Sequence, residues 1–228
     1  MKTRSTQRKK KWLWITLTSL FVLMLLGYAL ILAARKSPKF YRDWQTVSHE
    51  KKIQLNSEAI KKTLDVYAFF EKQQGPWGLC LTDEEINAWL AVGATSGKTN
   101  LVPREFQNPC LKMDGHIAEF AARVQYGKIQ GTVYLVFSIM LSEPDQYVFR
   151  LRSARLGIYP LKRAWILDVM EEQLKAKKIV CERINDNGDD ALKVNFSLPE
   201  KNKKKMIVYS ITTETGQCFI EGIVTKEK

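Results

Sequence analysis

Histidine is almost missing from this chain: His49 and His116 are the only two among 228 residues. That scarcity excludes most histidine-based metal sites, and neither residue has a carboxylate, serine or cysteine partner at motif spacing. The signatures of several enzyme classes are missing as well: there is no GxSxG elbow, no HExxH, no Walker loop and no GxGxxG. No two cysteines lie at zinc-ligand spacing, which excludes a CxxC knuckle. Acidic residues are wholly absent from positions 1–36, where eight basic side chains stand. Outside that stretch, 28 basic groups face 24 acidic ones, so only +4 of the net +12 belongs to the remaining 192 residues. So balanced a remainder is a poor nucleic-acid binder. No catalytic residue, metal site or cofactor is expected, and the chain is read as non-enzymatic. A composition of 45% hydrophobic and 26% charged residues is that of a folding chain, and the length suits one domain with an appendage.

The first positive feature is a hydrophobic run. Trp12 to Ala34 is 23 residues without a charge, and about 20 apolar residues suffice to span a bilayer core. Trp12, Trp14 and Tyr28 stand toward its ends, where amphipathic rings favour the interface. A cleaved signal peptide is the rival reading, with Ala33 and Ala34 as its small-residue site. The run exceeds the roughly 7–15 residues of a signal core, so an uncleaved anchor is preferred. Six basic residues precede the run and four follow it by Arg42. That bias points to an inner-membrane, single-pass protein with its N-terminus in the cytoplasm. The expected division is a basic tail over 1–11, a transmembrane helix over 12–34, a juxtamembrane linker over 35–52 and an extracytoplasmic domain over 53–228. Cys80, Cys110, Cys181 and Cys218 fit an oxidising exterior and allow three disulfide pairings, with free buried thiols as the other reading.

Within the exterior part, apolar residues from Ile53 to about Lys72 recur at helical spacing, and Gly75, Pro76 and Gly78 are expected to end that helix. Thr82 with Glu85 three residues on forms a capping box for a helix whose apolar stripe is Ile86, Trp89 and Leu90. The first-turn acids Asp83, Glu84 and Glu85 suit the helix dipole, and a loop is expected from Gly93 to Asn100. Period-2 alternation then predicts a hairpin across Asp114-Gly115, a long strand over 129–141 and a third strand from Tyr147. After Leu156-Gly157-Ile158-Tyr159-Pro160-Leu161, a helix to Lys177 presents Trp165, Ile166, Val169, Met170 and Leu174 on one side. Strands are expected at 179–184 and 191–198, with a last hairpin across Glu214-Thr215-Gly216. The predicted fold is α+β, a long, curved antiparallel meander packed by helices.

An apolar ligand or core face is expected from Phe120, Val133, Leu135, Phe137, Ile139, Phe149, Trp165 and Val169; Met113, Met140, Met170 and Tyr134 are further candidates for a lipid cleft. The run Asn185–Asp190 resembles a calcium loop but has Phe196 where the closing Glu belongs, and reads as a polar loop. The basic run Lys201–Lys205 reads as a solvated turn, with anionic headgroups as the sharper alternative.

The order of these motifs resembles the YpmS-like family of bacterial membrane-anchored proteins. The resemblance is carried by Leu81-Thr82-Asp83-Glu84-Glu85-Ile86-Asn87-Ala88-Trp89-Leu90, by Gly157 to Pro160, and by Phe219-Ile220-Glu221-Gly222. It implies a single-pass anchored exterior domain akin to tubular lipid-binding (TULIP-type) domains. It also implies structural roles for Asn87, tying its helix to a strand backbone, and for Gly157 and Pro160, turning strand into helix. The expected function is binding of membrane lipid or another apolar ligand. The alternative is a structural or adaptor protein of the envelope that binds another protein.

Overall fold

The computed structural model describes residues 3–96, 106–126, 129–186, 189–195 and 204–226, with backbone alone for 3–18, 93–96, 126, 129 and 186. The expectations on Trp12, Trp14, Asn187 and Lys201–Lys203, and on the loop over 97–100, lie outside the residues so described. The chain is α+β. It runs α1 (Thr3–Ala34), α2 (Lys39–Gln45), α3 (His49–Lys72), β1 (Gly75–Thr82), α4 (Asp83–Ser96), β2 (Phe106–Asp114), β3 (Ile117–Tyr126), β4 (Ile129–Glu143) and β5 (Gln146–Leu156). Then follow β6 (Tyr159–Pro160), α5 (Arg163–Ala176), β7 (Val180–Asp186), β8 (Asp189–Asn195), β9 (Lys204–Glu214) and β10 (Gln217–Lys226). A seven-stranded sheet has the order β2-β3-β4-β5-β8-β7, with β6 paired to β5, and a three-stranded sheet has the order β1-β10-β9. Every pairing is antiparallel.

The meander forms where period-2 alternation predicts it. Both faces of its centre are covered, however. Val133, Leu135, Phe137, Leu151 and Leu192 pack against Leu167 of α5. The opposite face carries Ala121 and Tyr134 beneath a layer of Tyr41, Trp44 and Ala88. Residues 35–52 are therefore not a plain linker. Tyr41 and Trp44 of α2 are buried at 1% and 6% exposure, which makes that helix part of the domain. Gly75, Pro76 and Gly78 do not merely end α3. They open β1, an edge strand, where a proline without its N–H is tolerated. Likewise α4 runs past Gly93 to Ser96.

Side chains complete several strand edges. The Asn87 carboxamide donates from Nδ2 to the Leu111 carbonyl at 2.7 Å and accepts the Leu111 N–H at Oδ1 at 2.6 Å. One turn away, the Asp83 carboxylate accepts the Met113 N–H at 3.1 Å. Helix α4 thus occupies the open edge of β2, where an unpaired ladder would invite another strand. Asp145, at the β4–β5 turn with φ of 62°, does the same between the sheets. Its N–H donates to the Val208 carbonyl at 3.2 Å, and its Oδ1 accepts the Val208 N–H at 3.0 Å. On β10, Gly222 stands opposite Trp77, and a Cβ there would meet the indole at 2.4 Å.

The capping box closes as expected: the Glu85 N–H donates to Thr82 Oγ1 at 3.2 Å and the Thr82 N–H donates to Glu85 Oε2 at 2.8 Å. Glu85 is buried, with Lys62 Nζ at 2.6 Å. Burial pushes its carboxyl up, but the Lys62 ammonium and the Thr82 N–H outweigh burial and hold it below the usual value. The apolar stripe expected on α4 is only partly its inner face, with Ile86 and Leu90 part-buried. Glu85, Asn87 and Ala88 are buried, whereas Trp89 remains 36% exposed, because the Asn87 and Asp83 bonds to β2 fix the helix rotation.

All four cysteines are free, contrary to the disulfide reading. On β1 and β10, Cys80 pairs with Phe219 and Cys218 with Leu81, so an offset of one residue turns the two thiols to opposite faces. Cys110 lies under α2 and α4, and Cys181 stands on the far edge strand β7. Burial raises the Cys110 thiol to about 12 and the Cys218 thiol to about 11, which keeps both protonated and inert.

Asn87→Ala leaves the Leu111 N–H and carbonyl without their partner and is expected to cost about 2–3 kcal/mol, read as a lower denaturant midpoint at unchanged slope. Glu85 makes a second prediction. A carboxyl held below its unfolded value adds stability that is complete above that value and lost as pH falls through the folded one. Glu85→Gln should therefore lower the melting temperature at neutral pH, and the gap to the unaltered protein should close in acid.

Candidate apolar binding cavity

The inner face of the large sheet and helix α5 enclose a cavity of about 570 Å³, within the roughly 300–1,000 Å³ of small-ligand sites. Cross-strand register explains how it forms. Phe120, Leu135 and Ala154 are successive partners across β3, β4 and β5. Phe120 and Leu135 of this row line the space, and α5 roofs it. Val133, Phe137, Phe149 and Val194 extend the floor, and Ile166, Val169 and Met170 form the roof. The polar members of the lining are Gln173 and Lys177, at the C-terminal end of α5.

Seven of the eight residues expected on an apolar face meet here: Phe120, Val133, Leu135, Phe137, Phe149, Trp165 and Val169. Ile139 packs against the same cluster without lining the space. Trp165 stands at the rim with 55% of its surface exposed, so it is not a core residue. The other cleft candidates divide. Met170 lines the cavity, whereas Met113 is buried elsewhere and Met140 is 40% exposed. Tyr134 points to the opposite face, where its hydroxyl donates to Glu119 Oε2 at 2.6 Å and the Phe40 ring lies 6.3 Å away. Burial and the Glu119 carboxylate raise that phenol to about 12. Phe106 and Leu156 belong to the lining too. Phe106 lacked a period-2 run to place it, and Leu156 ended one.

Among the described residues, no group of three His, Cys, Asp or Glu side chains could hold a metal ion. The cavity offers shape and apolar surface, so its chemistry is the exclusion of water. Each methylene moved into such a site is worth about 0.8 kcal/mol.

Of the motif positions expected to be structural, Gly157 and Pro160 adjoin the cavity without lining it. Leu161 N–H, just after Pro160, donates to the Ala154 carbonyl at 2.8 Å and delivers the chain into α5. Gly157 takes φ of 60°, and its N–H donates to the Thr132 carbonyl at 2.7 Å. A Cβ on Gly157 would lie 2.2 Å from the Ala33 carbonyl oxygen and 2.6 Å from Ala34 Cα. The last turn of α1 is therefore seated directly on the strand-to-helix turn.

No family model, no curated protein and no solved structure matches this chain.

A cavity and a solid core respond differently to added volume. Val169→Phe extends into the empty space and should cost less than about 1 kcal/mol, whereas Leu167→Phe, at a site 1% exposed, should cost about 1–3 kcal/mol. Chemical denaturation of the two variants checks the difference.

Proposed function

We propose that this is a non-enzymatic, membrane-anchored protein whose extracytoplasmic domain holds membrane lipid or another apolar ligand between its meander and α5. The observation that carries this reading is the cavity itself, which is large, open at a Trp165 rim and lined almost wholly by carbon. The resemblance to YpmS-like proteins and to TULIP-type domains points the same way.

The anchor is α1. Its 32 residues reach about 48 Å at 1.5 Å per residue. Leu20, Phe21, Val22, Leu23, Met24, Leu25 and Leu26 follow one another around this helix, and each is more than half exposed. Apolar surface on all sides of a helix calls for an apolar surrounding, and the acid-free basic tail favours a cytoplasmic N-terminus in the inner membrane. Among the described residues, no single helix is long and apolar enough to cross a membrane. A pair bent by 76°, Ser19–Ala34 with Lys39–Gln45, passes by length and composition. Its second member is the domain helix α2, so the proposed span is the uncharged run of α1 alone.

The adaptor reading has its own observation. On α3, Ile53, Ile60, Leu64 and Tyr67 are 51%, 43%, 59% and 42% exposed. Crosslinking in intact cells separates the two: a single protein partner captured at high yield favours the adaptor.

The ligand reading is tested with the full chain in vesicles and a dansyl-labelled undecanoic acid as probe. Leu135→Trp fills the cavity floor and should weaken probe binding by roughly tenfold or more. Equal binding by both proteins would place the probe in the bilayer and remove the support for a ligand site.

A further inference from the structure

The seat of α1 against the sheet has a directional consequence for the cavity. Phe106 pairs with Val124, Val124 with Gly131, and Val133 with Leu156, so these residues form the last rows of the sheet at one end. Gly131 shares the cavity face of β4 with Val133. A Cβ on it would meet Leu156 Cδ1 at 2.7 Å and the Ala34 carbonyl oxygen at 3.3 Å. The C-terminus of α1 thus borders the cavity face of the sheet at this end, one side chain away from the lining residue Leu156. Further contacts lock it there. The Ile158 N–H donates to the Ala33 carbonyl at 3.3 Å, and the hydroxyls of Ser37 and Thr132 lie 2.8 Å apart. The opposite end is set by the register of β7, β8 and β5, where Val180 pairs with Asn195 and Asn195 with Gln146 beside the β4–β5 turn. Helix α5 runs between these ends, 14 residues or about 21 Å, from the α1 seat to the polar pair Gln173 and Lys177.

We infer that the anchor holds the Leu156 end of the cavity against the leaflet from which α1 emerges, and that the ligand is an acyl chain of a lipid in that leaflet, inserted methyl end first. The inference rests on the proposed ligand reading and on α1 as the span. Leu30 and Leu32, each 47% exposed on α1, lead to Ala34, then to Leu156 and Val133, so an acyl chain meets apolar surface from bilayer to cavity. Ile158, 51% exposed beside Ala33, adds apolar surface where the bilayer would begin. The contact is backbone on backbone at Gly157, and this fixes the domain's tilt as a flexible tether would not.

Photocrosslinking with the full chain in phosphatidylglycerol vesicles tests this. Two trace lipids are compared, one with a diazirine near the acyl carbonyl and one with it at the methyl end. The expected map has the first labelling Leu156 and Val133 and the second labelling Phe149 and Val194. Gly157→Ala, which pushes α1 off its seat, should cut both labels by roughly tenfold while binding of the dansyl-labelled undecanoic acid stays unchanged. A reversed order of labels overturns the inference, as does undiminished labelling in the Gly157→Ala variant with the dansyl probe still bound. So does a cavity that takes the dansyl probe but no vesicle lipid. If Gly157→Ala fails to fold, the order of the two labels in the unaltered protein decides alone. Failure of the unaltered protein to bind the dansyl probe, with Leu135→Trp no different, would instead remove the ligand reading beneath it.

Discussion

Two backbones can touch only where no Cβ stands between them, and the placement of α1 on the domain depends on that constraint. At Gly157 the approach leaves 2.2 Å between a notional Cβ and the Ala33 carbonyl oxygen, and the φ of 60° is one that L side chains rarely adopt. Gly131, on the neighbouring strand, yields the rest of the space. Everything next in the chain starts from this seat. Ser37 bonds Thr132 on the far side of β4, α2 folds back over Ala121 with Tyr41 and Trp44, and α3 follows toward the small sheet. On the membrane-anchored reading proposed above, the same contact converts a transmembrane helix into a mount of fixed angle.

The domain it carries is held by side chains that imitate strands. Asn87 gives Leu111 both a donor and an acceptor, and Asp145 does so for Val208 with its carboxylate and its own N–H. Such pairs close edges that would otherwise expose open ladders. They also fix helix rotation, which is why α4 turns Glu85 and Ala88 inward and leaves Trp89 36% exposed. Lys204 plays a related part for α3, donating from Nζ to the carbonyls of Phe70, Glu71 and Gln73 at its C-terminus. That placement suits the negative end of a helix dipole. With the edges completed this way, the face beneath α5 carries almost only apolar side chains, and the void there stays lined by carbon.

How much of this could be read from the chain depended on whether the cause was local. The Thr82–Glu85 box lies within four residues and was legible, as was period-2 alternation along β3, β4 and β5. The centre of the cavity floor followed, because one face of one long strand supplies Val133, Leu135 and Phe137. What escaped was set by partners distant in sequence. The seven-residue α2 looks like a linker until Ala121 and Cys110 are seen beneath it. Strand β1 looks like a break, because Gly75, Pro76 and Gly78 mark breaks unless the strand lies on an edge. The role of Gly157 as a turn was legible, but its role as a seat was not, since the helix it meets is over a hundred residues earlier. Cysteine pairing was open for the same reason: the one-residue offset separates Cys80 from Cys218, and Cys110 and Cys181 stand in other parts of the fold.

The central claim, that α1 mounts the domain with the Leu156 end of its cavity against a leaflet, is tested most directly by spin-label depth measurements on the full chain in vesicles. A label at Ile158 and a label at Lys175, near the other end of α5, are compared for collision with lipid-soluble oxygen and with a water-soluble nickel chelate. The account predicts oxygen-dominated relaxation at Ile158 and chelate-dominated relaxation at Lys175. Equal chelate access at both positions would mean that the domain hangs free of the bilayer, and would contradict the account.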